Sequence, residues 1–380
     1  MTIHRVSTAP SFTVEYFEPE VIDAEQLPEE FSGSHLRRSL LAIAAIALVV
    51  VALIVLVPGL ASLRERFAGA QPGWLAFAAL LQVLSCASYV LAFRAVFCRR
   101  MSWRTSTEIG LSELAANSLF SVGGAGGLAL GAWILRRGGM ETGHIARRTV
   151  AFFLLTSLVN VTFLILGGLA LATGLLSGSP SLLLGLAPAL AGMAAIALAL
   201  AAGSAARAVA SKTERPRIER VLRTVGSGVE EAVELLRSRD LMIVAGAGGY
   251  MLFDVAMLGV CFAAFGNDVP PVGVLLLAYI IGLLGGLIPI PGGIGGVDAG
   301  LIGTLVVYGV DATDAAVAVI AYRGLLLSIP ALLGLPALGL LRRRLKTEEH
   351  DIAACTPGEQ VEVLGRGPVR PWRPASQEGG

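Results

Sequence analysis

Apolar residues run along this chain in long blocks, at 39–60, 73–97, 148–174, 181–203, 241–265 and 314–341. A helix rises about 1.5 Å per residue, so about 20 apolar residues cross the hydrocarbon of a bilayer. Each block predicts one spanning helix. Two further apolar stretches, 106–135 and 272–309, are broken by glycine and proline. The first is too short for two full spans and predicts a broken, re-entrant hairpin. The second fits either a hairpin or two short spans.

The two broken stretches share a string. Residues 123–131 and 292–300 both read GGxGGxxxG, at an offset of 169 residues. The same offset carries 73–97 onto 242–266 and 148–172 onto 317–341. Each half then holds three spanning helices and one Gly-rich broken hairpin. Three crossings per half turn the second half upside down relative to the first. The fold class expected is an all-α polytopic membrane protein of two inverted repeats, a plan used by many transporters. The glycines of such helices also serve close packing. Packing alone does not explain the shared register or the neighbouring Pro289 and Pro291.

Basic residues in short loops mark the cytoplasmic side. Arg37 and Arg38 precede the first block, and Arg99, Arg100 and Arg104 follow the second. Arg136, Arg137, Arg147 and Arg148 share their side only if 106–135 enters and returns. The same parity places the basic segment 207–240, and then Arg342, Arg343, Arg344 and Lys346, on that side too. Both termini are expected to be cytoplasmic, in a multi-pass protein of the cell membrane.

Composition sharpens this picture. The chain is 55% hydrophobic and 15% charged, where a soluble domain carries about a quarter charged residues. Its expected organisation is an acidic disordered tail (1–38), a first membrane repeat (39–174), a second (175–345) and a disordered tail (346–380). No cleavable signal sequence is read at the start. Segment 207–240 is expected as an amphipathic helix near anionic headgroups, with recruitment of a cytoplasmic enzyme as its alternative role. Cys86, Cys98, Cys261 and Cys355 stand at no metal or redox spacing and suggest no disulfide framework. No catalytic set or phosphate-binding loop is visible. No metal, cofactor or nucleic-acid partner is expected.

Glycine and proline break helices at membrane depth only where protein or a polar cavity covers the backbone. A half-helix starting after each string would aim N–H groups and a positive dipole end at the membrane middle, which suits an anion. Gly123, Gly124, Gly126 and Gly127 in one hairpin, and Gly292, Gly293, Gly295 and Gly296 in the other, are therefore candidate substrate-binding residues. Charges within spans are costly and usually functional. Arg323 lies deep in the last block, and its fork of donors suits phosphate oxygens. Asp298 opens the second half-helix as cap or ligand. Pairing of Arg323 with Asp254 or Asp298 is the structural alternative. Glu113, Asn117, Asp254 and Tyr322 form a second rank, the acids as charge partners or proton carriers.

From Pro289-Ile290-Pro291-Gly292-Gly293 through Asp298 to Ala321-Tyr322-Arg323, the chain resembles the transmembrane region of lysylphosphatidylglycerol synthases and the stand-alone flippase-like proteins related to it. Residues 117–137 look like that family's other glycine-bearing segment, and the resemblance covers about 39–345. It implies translocation of a phospholipid or lipid-linked anionic substrate, with membrane lipids as partners. Asp298 stands where the family more often has Glu, and Val122 and Gly127 where many members carry Pro and an acid. No synthase domain follows the membrane part, so lipid aminoacylation is not expected. The alternatives are a membrane-embedded enzyme acting on a polyprenyl-phosphate or phospholipid, and a non-transporting scaffold.

Overall fold

The computed structural model describes Leu41 and residues 61–119, 125–176, 182–210, 216–238, 240–287, 293–353 and 355. The expected first span at 39–60, the N-terminal tail and most of the C-terminal tail lie outside them. All regular structure among the described residues is helical. In chain order the helices are α1 (Ala61–Ala68), α2 (Pro72–Phe97), α3 (Trp103–Leu119), α4 (Ala125–Arg137), α5 (Thr142–Ala172) and α6 (Leu182–Ala210). They continue with α7 (Pro216–Arg237), α8 (Leu241–Ala264), α9 (Val272–Leu284), α10 (Gly296–Val307) and α11 (Ala312–Ala353). Among the described residues, five stretches are long and apolar enough to cross a membrane: α2, α5, Leu182–Ala205 of α6, α8, and Ala312–Leu341 of α11.

Local chemistry sets several boundaries. Pro72 occupies the first turn of α2, where a missing N–H leaves nothing unpaired. Asp240 caps α8 by accepting from the Met242 N–H at 2.9 Å, and Asp311 caps α11 by accepting from Thr313 and Asp314 at 2.8 and 3.1 Å.

The centre of the bundle is the antiparallel pair α2 and α8. The Gln71 N–H donates to the Ala264 carbonyl at 2.8 Å, and the Ser85 hydroxyl to the Tyr250 carbonyl at 3.2 Å. Gly249 lies against Ser88, and Gly246 against the backbone of Ala92. At the far end Arg99 is ion-paired with Asp240. Partner numbers rise along one helix as they fall along the other, so the chains run oppositely over the whole length. Small residues let the two backbones meet, and close packing is the main attraction between helices surrounded by lipid. α5 and α6 repeat the device, with Gly168 against Gly185 and Ala189, and Gly185 against Ala172.

Two helical hairpins flank this pair. In the first, α3 and α4 are antiparallel: Gly127 meets Asn117 and Gly131 meets Glu113. In the second, α9 and α10 are antiparallel, with Gly285 on Gly296 and Gly282 on Gly300 and Leu301. Both ends of the first hairpin lie at the end of the bundle marked by Arg99 and Asp240. There Glu108 is paired with Arg104 and Arg344, Arg148 with Glu231 at 2.9 Å, and Gly138 with Ile352. Both ends of the second lie at the opposite end, where Arg66 donates to Asn267 at 2.6 Å and is ion-paired with Asp314. The two helical pairs therefore open toward opposite ends of the bundle.

Two expectations change. Cys98 and Cys355 form a disulfide across 257 residues of sequence, where no disulfide was expected. Residues 346–353, assigned to the disordered tail, continue α11, and Ile352 is fully buried. The cause is a contact that sequence pattern does not carry: Ile352 seats on Gly138, where even a Cβ would be 2.4 Å from it. Segment 207–240 does hold a helix, α7, whose Val229 packs on Gly203 of α6 and whose Gly228 packs on Val150 of α5.

Candidate functional site

A cavity of about 140 Å³ lies where the two hairpins converge on the central pair. α2 contributes Gln82, α3 Asn117 and Ser118, α8 Tyr250 and Asp254, α9 Tyr279, and α11 Tyr322, Arg323 and Pro330. Eight polar side chains thus face one small space inside an apolar bundle. Pro330 cannot donate to the Leu326 carbonyl one turn back, and Leu326 also lines the cavity. A larger cavity of about 290 Å³ between α5, α6 and α7 has Ser157 as its one polar lining residue. It offers little to orient a charged group.

The cationic group of the site is Arg323, 8% exposed. Its Nε donates to Asp298 Oδ1 at 2.8 Å, which settles the open pairing in favour of Asp298 over Asp254. The other carboxylate oxygen, Asp298 Oδ2, accepts from the Gly295 N–H at 2.7 Å. One carboxylate therefore caps α10 and anchors the arginine. Gly293, at φ 62°, and Gly295, at φ 90°, sit in the left-handed region that favours glycine. A Cβ on Gly293 would lie 2.8 Å from Val297 and 3.5 Å from the Arg323 guanidinium. The turn before α10 thus brings backbone beside the arginine, and the positive φ with the close approach to Val297 makes a side chain there costly.

Asp254 is 2% exposed and accepts from the Tyr279 hydroxyl at 3.1 Å. Tyr250 lies one turn before it on α8, and Tyr322 precedes Arg323, so three tyrosines and one carboxylate form one wall. Across the cavity Asn117 Oδ1 accepts from the Gly127 N–H at 2.8 Å. That bond ties the end of α3 to the start of α4.

Of the candidates named from sequence, Asn117, Asp254, Tyr322 and Arg323 line the cavity, and Gly293 and Asp298 position Arg323. Gly123, Gly124 and Gly292 lie outside the described residues. Gly126, Gly127 and Gly296 do not line the cavity; they belong to the first turns of α4 and α10, where Gly127 and Gly296 allow helix-to-helix contact. Glu113 is also off the cavity, 1% exposed, accepting from the Tyr89 hydroxyl at 2.9 Å. The N–H groups of Gly127 and Gly295, expected to be free for an anion, are occupied by Asn117 and Asp298. α4 also starts inside its string, at Ala125, rather than after it. Gln82, Ser118, Tyr250 and Tyr279 were not singled out from sequence. Their one shared signal is a polar group at helical depth within an apolar block.

Five membrane-length helices among the described residues, three of them lining a polar cavity, define a multi-pass membrane protein. The family model for the lysylphosphatidylglycerol synthase transmembrane region matches residues 42–334. The chain belongs to that family, as the glycine, acid and Tyr-Arg order implied. Comparisons with curated proteins and with solved structures found no match.

Proposed function

We propose that this protein moves a phospholipid or lipid-linked anionic substrate across the cytoplasmic membrane, as a carrier rather than a catalyst. The observation that carries the reading is Arg323, an inward-facing guanidinium in a cavity bounded by hairpins entering from opposite ends. A buried arginine is a strong binder of phosphate oxygens because its donors match their geometry and it stays charged. A cavity between two oppositely entering elements suits alternating exposure to the two sides.

Inverted repeats are the architecture behind this reading. The offset of 169 residues carries α2 onto α8, and these two helices pack antiparallel at the centre. It also carries the contact of Glu113 with Gly131 onto that of Gly282 with Gly300. Each hairpin is then re-entrant. Arginines gathered at the Arg99–Asp240 end support a cytoplasmic assignment for that end and for both termini. α7 lies at the same end, in reach of anionic headgroups or of a cytoplasmic enzyme partner.

The test is lipid movement in reconstituted vesicles, using fluorescent anionic and zwitterionic lipids. Wild type is expected to move the anionic lipid. Arg323→Ala and Gly293→Leu are expected to abolish movement while keeping a monodisperse elution profile. No movement of any lipid by well-folded wild type, or full movement by both variants, would overturn the proposal.

A further inference from the structure

Two acceptor oxygens in the central cavity lack a donor. Gln82 Oε1 and Asp254 Oδ1 are both buried without a hydrogen-bond partner among the described residues. Their residues are 1% and 2% exposed, and both line the cavity. Neither has an easy local remedy. The Gln82 amide nitrogen faces Cys86 Sγ at 3.8 Å. The Ser85 hydroxyl, one turn of α2 away, also faces Asp254, but its single proton is directed to the Tyr250 carbonyl at 3.2 Å. Buried acceptors without donors are disfavoured, and a charged one most of all. Two in one small space share a single remedy, which is a positive partner.

We propose that Asp254 and Gln82 form a binding site for a monovalent cation, a proton or Na⁺, that travels with or against the anion held at Arg323. As a proton site, Asp254 Oδ1 takes up the proton and the resulting O–H donates to Gln82 Oε1, satisfying both oxygens at once. As a Na⁺ site, the same two oxygens are ligands, with neighbouring hydroxyls to complete the shell. Charge balance connects the site to transport. Arg323 and Asp298 neutralise each other, so ionised Asp254 leaves the cavity one negative charge in excess. An entering phosphate adds another, in surroundings where opposed charges interact strongly. A cation on Asp254 removes that conflict, so cation and anion each strengthen the other's binding by the same factor.

The groups facing Asp254 are few. α2 brings Ser85 and Cys86, and α8 itself Tyr250. α9 brings Tyr279, and α11 brings Tyr322 and Arg323. The titratable groups of α5, namely His144, Arg147 and Arg148, lie at the basic end near Glu231. Asp254 is the carboxylate that itself lines this cavity.

The coupling part rests on the proposed transport, whereas cation binding does not, and the experiment separates them. Purified protein is titrated with Na⁺ at constant ionic strength (choline replacing it) and, separately, with pH. The readouts are thermal unfolding and the infrared band of a protonated carboxyl. A proton site shows a carboxyl band that titrates and is absent in Asp254→Asn. A Na⁺ site shows saturable stabilisation by Na⁺ that is absent in Asp254→Asn. Gln82→Leu keeps the carboxylate but removes one acceptor, and weakens either response about tenfold, as one hydrogen bond would. It serves as the test should Asp254→Asn not fold. Wild type without either response, or Gln82→Leu with an unchanged one, overturns the site. Cation binding without lipid movement leaves the site standing and removes the proposed function. Lipid movement indifferent to both cations removes this inference alone.

Discussion

Substituting Gly285 by alanine is expected to damage the second hairpin far more than the same change at Gly303. A Cβ on Gly285 would stand 2.1 Å from the Gly296 carbonyl oxygen, 2.3 Å from its carbon and 2.7 Å from the Val297 nitrogen. Ordinary contact begins at about 3.4 Å, so the backbones must part by more than an ångström. All three obstructing atoms are backbone, and no rotamer change relieves them. Overpacking of this kind costs about 1–3 kcal/mol. The gain in helix propensity from Gly to Ala, at most about 1 kcal/mol, is small in a short 3₁₀ turn. Gly303 on α10 has nothing within 4 Å of its Cβ position, so alanine there gains propensity at no steric cost. With an unfolding entropy of about 2.1 cal/mol/K per residue, the 380 residues of the chain give roughly 1 °C per kcal/mol, so Gly285→Ala should lower the unfolding midpoint by about 1–4 °C. Gly303→Ala should leave it unchanged or raise it slightly. The assay is thermal unfolding of each purified variant in one detergent, followed by circular dichroism. Equal midpoints for the two variants would refute the close approach of α9 and α10.

Other consequences are as direct. Asp298→Asn keeps an oxygen for the Gly295 N–H but removes the charge facing Arg323, and should cost about 1–3 kcal/mol. That is below the value for a fully buried pair, because the Asp298 side chain is 25% exposed. A double-mutant cycle with Arg323→Gln should recover most of the loss as coupling between the two. Asp311 is held below the usual carboxylate range by the N–H groups of Asp314 and Thr313. Its capping contribution is present above the ordinary carboxylate value and lost as pH falls through the lowered one. The stability gap between wild type and Asp311→Ala should therefore be present at neutral pH and close in acid, as read by unfolding midpoints across a pH series.

The return of the chain across 106–135 to the same end of the bundle was legible in the sequence because charge parity is a global constraint. Arg99, Arg136 and Arg147 can share one side only if the stretch between them turns back, and the structure gathers them at one end. Asp254 and Arg323 were legible because an ionisable group in a long apolar block is rare. Tyr279 and Gln82 were not, since one such residue among apolar neighbours looks the same whether it packs or lines a cavity. Glu113 has the same signal, yet it lies off the cavity, where its carboxylate accepts from Tyr89, 24 positions away. The Cys98–Cys355 link was beyond reach. It depends on the final turns of α11 folding over Gly138, which follows from the tertiary arrangement and not from local periodicity.

The central claim is that one cavity serves both faces of the membrane, and sided labelling tests it most directly. A single cysteine at Ser118, in a chain whose four native cysteines are replaced, would be exposed to a membrane-impermeant thiol reagent from each side of sealed vesicles. The account predicts labelling from both sides, slowed from both by anionic lipid headgroup analogues. Labelling from one side only, or from neither in well-folded protein, would contradict it.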